Sequence, residues 1–278
     1  MHDSYLLFDD ERQASVLASL VADFWSALRQ GDVDAAALAK GVAEAVQTQH
    51  LKVYSVDTAS QRSLRTLGAD GDYSRYGPNV QMAFHNNFAA NKVDWFLYRR
   101  MDMEVRITAG GEARISTTFT LRNESPPGPA SPLLGFPPFN KYRPGLNGLF
   151  FNLLMPAEAQ VFRFHIDGEQ APYILHRDGP YPVAWDIVRI PPGGTSEVFI
   201  RYHVQGMLQT VGDDTRFQMT LFPQGLVRPD DFTLTVVAPD GTHLVPDDVA
   251  DPADADETYT TSGTLAEPFD ISLRLTRP

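Results

Sequence analysis

The chain has 278 residues, enough to bury hydrophobic cores in two or three domains without stabilising disulfide bonds. Its 23 Lys and Arg oppose 35 Asp and Glu, and no basic run could follow a phosphate backbone, so we expect no nucleic-acid partner and no attraction to an anionic bilayer. Cysteine is absent, which excludes disulfides, thiol catalysis and thiolate metal sites.

The first 77 residues contain no proline, whereas all 21 prolines lie at or after Pro78. Because proline breaks helix interiors, this distribution predicts a helical module over 1–77 and a β-rich region over 78–278. From Asp9 onward, apolar residues recur at helical spacing and form one stripe, with Asp10 and Gln13 as a capping box and Gly31 as the stop. The stripe consists of Val16, Leu17, Leu20, Val21, Phe24 and Leu28.

A second helix is predicted from Asp32 or Asp34, packing on the first as a hairpin. The run His50–Val56 is rich in β-formers and predicts a strand. Asp57 or Thr58 then caps a third helix that ends at Gly68. The order helix, helix, strand, helix suits the tail of an α/β domain whose beginning lies upstream, so we expect the chain to be part of a longer protein.

After Pro78 the apolar period changes to two. Alternating residues predict a long hairpin, with one strand over 95–107 and the other over 115–121. Further predicted strands cover 161–166, 171–175, 183–190, 198–204, 217–221, 232–237 and 269–275. The predicted fold class is therefore α+β: an N-terminal helical or α/β remnant followed by an antiparallel immunoglobulin-like β-sandwich region. This region is one large or two small sandwiches, with a sub-boundary near Gly206.

A proline-rich connection runs from Glu124 to Gly145 and carries Phe136, Phe139 and Tyr142. These aromatic side chains either form a recognition surface or pin the connection to the sandwich, and pinning is the commoner role.

No hydrolase elbow, P-loop, dinucleotide fingerprint or helical zinc motif occurs in the sequence. His165, His176 and His203 fall in or beside strands, where histidines are mostly structural. Acidic residues cluster between Asp240 and Glu257, but they lack the order and the glycine of a calcium-binding loop and indicate a solvated segment. We therefore expect no metal, no cofactor and no catalytic residue.

The most specific run is 85–95, rich in Asn and Asp. These residues tolerate left-handed backbone and bond to nearby main chain, so the run predicts a tight, self-satisfied turn before the hairpin, with Lys92 and Asp94 paired across it. A ligand site is the alternative, and its candidate residues are Asn87, Asn91, Lys92 and Asp94.

Four pieces of the sequence carry a family resemblance: Asp10 to Gln13, His50 to Ser55 with Gln61 and Leu67-Gly68, Asn87 to Asp94, and Thr120 to Asn123. Over nearly its whole length the chain resembles the C-terminal half of an uncharacterised bacterial family, a domain of unknown function in membrane-anchored exported proteins of high-GC bacteria. The resemblance implies an extracytoplasmic location in the cell envelope. It also implies membrane attachment only through an N-terminal anchor outside this sequence.

The N-terminal part of that family distantly resembles the LytR-CpsA-Psr proteins, which transfer polyprenyl-pyrophosphate-linked glycopolymers to the cell wall. An arginine and a glutamine near the start of a helix in those proteins resemble Arg12 and Gln13. The resemblance implies that Arg12 contacts a pyrophosphate, for which a guanidinium is chemically suited. The other arginines and carboxylates of such a site would lie upstream.

The leading expectation is a non-enzymatic structural or interaction module of a cell-envelope protein, with a cell-wall glycopolymer or another envelope protein as partner. One alternative is a fragment of a glycopolymer-transfer enzyme that binds polyprenyl pyrophosphate through Arg12. The other is a glycan-binding β-sandwich that uses Trp95, Trp185 or the aromatic residues of the loops.

Overall fold

The computed structural model describes residues 10–31, 34–135, 142–211, 214–247 and 256–277, with only the backbone of 10–14, 17 and 211. Three helices come first: α1 (Asp10–Gln30), α2 (Ala35–Gln47) and α3 (Thr58–Leu67). Short 3₁₀ helices follow at Tyr73–Tyr76 and Val93–Phe96. The Asp57 carboxylate accepts from Ser60 N and Gly68 ends α3 with φ of 74°, so both predicted caps of this helix are confirmed.

Fifteen strands make up most of the remaining described chain. They are β1 (Val80–Asn87), β2 (Leu97–Ile107), β3 (Ala113–Asn123), β4 (Asn147–Leu154), β5 (Ala159–Ile166), β6 (Glu169–Gln170), β7 (Ile174–Asp178), β8 (Tyr181–Ile190), β9 (Thr195–Val204), β10 (Leu208–Val211), β11 (Asp214–Leu221), β12 (Asp230–Val237), β13 (His243–Pro246), β14 (Thr258–Leu265) and β15 (Phe269–Thr276). The protein is therefore an α+β protein with mostly β structure, as predicted.

The strands form two sheets. One has the order β13-β15-β11-β1-β4-β8-β7, with β10 also paired to β11, and the other has the order β14-β12-β2-β3-β9-β5-β6. The prediction of a purely antiparallel region is wrong, because β1 pairs with β11 and β2 pairs with β12 in parallel. These partners lie far apart in the sequence, so alternation within each strand gives no sign of their relative direction.

One apolar core lies between the sheets. The inward residues of β2 and β3 are buried in strict alternation, which confirms the predicted hairpin. Phe119 of one sheet meets Phe151 of the other with ring centroids 5.1 Å apart. Both side chains are fully buried, and each such burial contributes about 1.5–3 kcal/mol.

Strands from both sides of residue 206 occur in both sheets. In the first sheet β11 lies between β15 and β1, and in the second β12 lies beside β2. Their apolar side chains belong to the same core cluster as those of β4 and β9. The strand pairing thus joins the segments before and after Gly206.

None of the described side chains in the predicted apolar stripe of α1 is buried. Leu20 is 55% exposed and Phe24 is 49% exposed, so the prediction of a hairpin core between α1 and α2 is wrong for these side chains. None of the residues of α2 is buried either. Helical periodicity identifies an apolar face, but it does not specify what covers that face.

The segment His50–Val56 is not a strand. Val53 N–H donates to Ala69 O, while Tyr54 is 78% exposed and Val56 is 92% exposed. The prediction of a strand here is wrong, because β-forming side chains produce a strand only where a neighbouring strand accepts the backbone hydrogen bonds.

Gly225 lies against the turn that follows α2. A Cβ at this position would lie 2.5 Å from Gln49 O, a main-chain atom that cannot swing aside. We therefore expect Gly225→Ala to lower the free energy of unfolding by about 1–3 kcal/mol, measured by urea denaturation. Gly110→Ala is the control, since its nearest neighbour would be 3.9 Å away. Equal stability of the two variants would contradict this close contact.

Candidate functional site

The run from Asn87 to Asp94 connects β1 to β2 and is held by its own side chains. Asn87 Nδ2 donates to Asn91 Oδ1 at 2.9 Å and to Asp94 Oδ1 at 3.1 Å. Asn91 Nδ2 donates to Leu146 O at 2.8 Å, which ties the loop to the chain before β4. The predicted self-satisfied turn is present, and three of the four candidate ligand residues come together in it.

Lys92, the fourth candidate, makes no described side-chain hydrogen bond within this group. Its N–H donates to Leu133 O at 2.9 Å and the residue is exposed. The structure gives no ion pair between the described side chains of Lys92 and Asp94, so the predicted pairing is absent. Lys92 acts on Asp94 only as a nearby positive charge that lowers the pKa of this carboxyl.

A pocket of about 310 Å³ opens beside the turn, and we call it the His85–Asp94 pocket. Its floor is made by charged and polar side chains that sequence reasoning did not select. The central one is Arg99, whose side chain is 1% exposed and whose Nη2 lies 2.5 Å from Asp230 Oδ2. Arg99 Nη1 also donates to Gln224 Oε1 at 3.1 Å. The buried guanidinium is therefore neutralised and fixed in position.

Arg99 sets the state of the buried His85. Arg99 Nη1 lies 2.7 Å from His85 Nδ1, and a guanidinium only donates, so Nδ1 accepts and Nε2 carries the hydrogen. Burial, and after it the Arg99 charge, lower the pKa of His85 to about 3. At neutral pH His85 is therefore an uncharged donor through Nε2.

The Nε2 atom of His85 faces Asp94. It lies 4.0 Å from Asp94 Oδ1, too far for a direct hydrogen bond. Burial raises the pKa of Asp94, while the neighbouring amides of Asn147 and Asn87 lower it, and of the two only Asn87 makes a described hydrogen bond to this carboxylate. Because 41% of the Asp94 side chain is exposed, this carboxylate remains accessible from solvent.

The two atoms that face each other, His85 Nε2 and Asp94 Oδ1, form an arrangement that we call the hydroxyl clamp. One oxygen atom placed between them would be about 2.8 Å from each and could accept from the imidazole while donating to the carboxylate. A hydroxyl group has both capacities, whereas a carbonyl, a carboxylate or an ammonium has only one. The clamp thus favours a hydroxyl oxygen over these three groups.

Polar atoms without a hydrogen-bond partner concentrate behind this pocket. Among the described residues there are seven such buried side-chain atoms, and four belong to Arg99, Asp230 and Asn147. Asn147 is completely buried and contributes both of its amide atoms. Native interiors satisfy nearly all buried polar groups, so such a concentration is typical of a functional site.

The rim of the pocket carries Trp95 and Arg228. Trp95 is 37% exposed, so one edge of the pocket is aromatic. Trp185 does not line this pocket and packs against Phe150, with ring centroids 5.7 Å apart. Tyr142 of the proline-rich connection packs on Phe88 at 5.4 Å, as expected for an aromatic that pins the connection. Phe136 and Phe139 lie outside the described residues.

None of the remaining candidates makes a described contact with the pocket. Arg12 and Gln13 fall in the first turn of α1, and their side chains lie outside the described part of the chain. Asp248 to Asp254 of the acidic segment are likewise outside it. Within the described ranges there is no group of three or more His, Asp or Glu residues that could hold a metal ion.

Sequence reasoning missed His85, Arg99, Gln224 and Asp230. A signal for Arg99 was present, because this residue occupies an inward position of β2 between Leu97 and Met101. A charged residue at a core position of an alternating strand requires a buried partner. Asp230 supplies it from 131 positions away, and only the sheet pairing reveals that contact.

No protein-family model and no curated protein sequence matches the chain. Solved structures with partial similarity to the chain include a candidate nutrient-binding protein of Legionella pneumophila at 11% identity and a TM-score of 0.36, covering 71% of this chain and 70% of that one. Leukotriene A4 hydrolase of Saccharomyces cerevisiae matches at 14% identity and a TM-score of 0.38, over 64% of this chain and 29% of the hydrolase.

An M1 zinc metallopeptidase of Deinococcus radiodurans matches at 12% identity and a TM-score of 0.35, over 64% of this chain and 42% of the peptidase. The chain thus spans less than half the length of the two hydrolytic enzymes. At these TM-scores the similarities carry no argument about function. Within the described helices, none combines the length and the apolar character needed to cross a membrane.

Proposed function

We propose that this chain is a non-enzymatic, extracytoplasmic binding module of a cell-envelope protein, in which an immunoglobulin-like β-sandwich holds a sugar residue of an envelope glycopolymer in the His85–Asp94 pocket. The observation that carries the proposal is the hydroxyl clamp, where a fixed imidazole donor and a carboxylate acceptor lie 4.0 Å apart. The envelope location rests on the sequence resemblance alone.

The other walls of the pocket suit a sugar ring. Sugars present several hydroxyl groups on one side and C–H groups on the other, and aromatic side chains pack against the C–H face. Trp95 supplies the aromatic rim and Gln224 adds an amide to the polar floor. A volume of about 310 Å³ lies at the small end of the range for ligand pockets, so it fits one sugar unit rather than a long chain.

Among the described residues that line the pocket, Asp94 is the one carboxylate, and Asp230 behind it is buried in its ion pair with Arg99. Glycoside hydrolysis commonly requires a pair of carboxyl groups on opposite sides of the bond. The arrangement therefore supports binding rather than cleavage. The alternative, in which Arg12 binds a pyrophosphate, has no structural support, because the side chain of Arg12 lies outside the described part of the chain.

The proposal predicts the effect of removing the clamp acceptor. Asp94→Ala is expected to weaken the binding of a neutral sugar by roughly 10- to 100-fold, because a hydrogen bond to a charged group contributes about 1.5–3 kcal/mol. Binding of glucose, galactose, N-acetylglucosamine and their oligomers would be measured by calorimetry and by saturation-transfer NMR.

Asp186→Ala is the matched control, because Asp186 is a half-buried carboxylate of β8 that does not line the pocket. It should bind the same sugar as tightly as the unmodified protein. Absence of binding for the whole panel, or equal affinity of both variants, would contradict the proposed function.

A further inference from the structure

Arg228 lines two neighbouring pockets at once. One is the His85–Asp94 pocket, and the other is a pocket of about 300 Å³ on the outer surface of the sheet that contains β2. Tyr98, Arg100 and Arg122 also line the second pocket. A ligand held by the hydroxyl clamp would therefore extend past Arg228 into a region with three guanidinium groups.

The guanidinium of Arg228 is held in one place. Its Nε donates to Trp95 O at 2.9 Å, and its Cζ lies 4.2 Å from the centroid of the Tyr98 ring. Stacking on an aromatic face leaves the edge of a guanidinium, with its donors, directed away from the ring. No ion pair joins Arg228 to any carboxylate of the described residues.

The neighbouring arginines differ from Arg228 in this respect. Arg122 lies directly across from Tyr98 in the β2–β3 pair, with its Cζ 5.0 Å from the same ring, but it is paired with Glu124 at 2.7 Å. Arg100 is paired with Asp102 through both nitrogens of its fork. Arg228 is thus the arginine of this pocket whose charge is not neutralised by a described carboxylate.

The positive charge of Arg228 contrasts with the acidic character of the rest of the chain. The whole chain carries a net charge of −12, so an uncompensated guanidinium held between two pockets is a local exception. Asp231 is the carboxylate in the lining of the second pocket, and Thr264 Oγ1 donates to it at 3.1 Å. The pocket therefore presents more positive than negative side chains to a ligand.

We infer that Arg228, supported on the Tyr98 ring beside Arg122, is a subsite for an anionic substituent of the ligand, a carboxylate or a phosphate attached to the sugar. This inference rests on the proposed function, because it assigns the adjoining sugar to the His85–Asp94 pocket. A guanidinium fork matches both carboxylate and phosphate through two parallel hydrogen bonds. The ligand class is thus an acidic rather than a neutral saccharide.

The test compares matched neutral and anionic sugars. Glucose, glucuronate and glucose 6-phosphate are titrated into the unmodified protein, Arg228→Gln and Arg106→Gln, with affinity measured by calorimetry and the side-chain Nε–H signals of arginine followed by NMR. Arg106 is the control. It lies on the same face of β2 as Tyr98, is paired with Glu104, and lines neither pocket.

We expect at least one of the two anionic sugars to bind roughly 3- to 10-fold more tightly than glucose, with a selective shift of the Arg228 Nε–H signal. Whichever anionic sugar is preferred identifies the substituent. In Arg228→Gln the ratio of anionic-sugar affinity to glucose affinity should fall to about one, and Arg106→Gln should keep the ratio of the unmodified protein. Thermal unfolding of each variant verifies that the fold is intact.

Four results would overturn the inference. If glucose binds but neither charged sugar binds better, or if the preference survives in Arg228→Gln, the anionic subsite is refuted while the proposed function stands. If Arg228→Gln weakens glucose as much as the anionic sugars, Arg228 acts on the sugar ring rather than on its charged substituent, and the anionic subsite is refuted. If no sugar binds to the unmodified protein, both the subsite and the proposed function fail.

Discussion

Replacing Arg99 by methionine is expected to lower the free energy of unfolding by about 3–5 kcal/mol, because it leaves a buried charge without a partner. The Asp230 side chain is only 7% exposed, and Arg99 Nη2 lies 2.5 Å from its Oδ2. Arg99 also donates to Ala83 O at 2.9 Å and to Gln224 Oε1 at 3.1 Å. Methionine fills much of the same volume but supplies none of these donors.

Urea denaturation followed by circular dichroism measures this loss. Arg106→Met is the matched control, since Arg106 lies on the same strand as Arg99. Its side chain is paired with Glu104 but is 60% exposed. Exposed ion pairs contribute at most about 1 kcal/mol, so this control should remain close to the unmodified protein. Equal losses in the two variants would show that the Arg99 ion pair is not a buried one.

A double variant separates the lost charge partner from the lost packing. In Arg99→Met with Asp230→Leu the stranded carboxylate is removed, and most of the stability should return. The Arg99 donor to His85 Nδ1 is still missing in that protein. The imidazole can then adopt either tautomer, so recovery of stability without recovery of sugar binding would place Arg99 as a positioning residue for His85.

The long hairpin of β2 and β3 could be predicted from the sequence because one of its faces is buried and the other is exposed. That alternation is visible in the residues themselves and needs no knowledge of the neighbouring strands. The strand β4 was missed for the opposite reason. Nearly all of its residues are buried on both faces, and such a run has no period of two.

The strand β1 was missed because its polar residues occupy inward positions. Gln81 and His85 are buried between apolar neighbours, where they contact Tyr202 and Arg99 of the opposite sheet. A pattern based on hydrophobicity interprets such residues as loop. The same polar interior that conceals the strand forms the floor of the pocket, as expected when a functional site departs from regular patterning.

The candidate site was predicted only as far as local sequence allowed. The turn from Asn87 to Asp94 is recognisable because its hydrogen bonds join residues a few positions apart. Asp230 reaches Arg99 through the parallel pairing of β2 with β12, in which Arg100 lies opposite Asp231, and Gln224 is bonded to the main chain of His85. No local rule predicts the register of two strands separated by more than a hundred residues.

Lowering the pH from 6.5 towards 3 is expected to destabilise the protein through His85. Burial and the neighbouring Arg99 charge lower the pKa of His85 in the folded state to about 3, below the value of about 6.5 in an unfolded chain. Between these values the unfolded state binds a proton that the folded state does not. Stability is therefore fully present above pH 6.5 and falls by up to about 1.4 kcal/mol per pH unit as the pH decreases.

The variant His85→Gln isolates this contribution, because other groups also titrate in acid. Glutamine keeps an oxygen acceptor for Arg99 and cannot gain a proton. The difference in unfolding free energy between pH 6.5 and pH 4 should therefore shrink by roughly 3 kcal/mol in the variant. His176→Gln, at an exposed position of β7, is the control and should keep the pH dependence of the unmodified protein.

Asp94 opposes this trend, because burial raises its pKa and a proton gained in acid then favours the folded state. Its effect is discounted by the exposure of 41% of its side chain, so the slope due to His85 dominates. If His85→Gln and the unmodified protein lose stability equally on acidification, His85 is not held neutral by its surroundings. Its Nε2 hydrogen would then not be the fixed donor that the hydroxyl clamp requires.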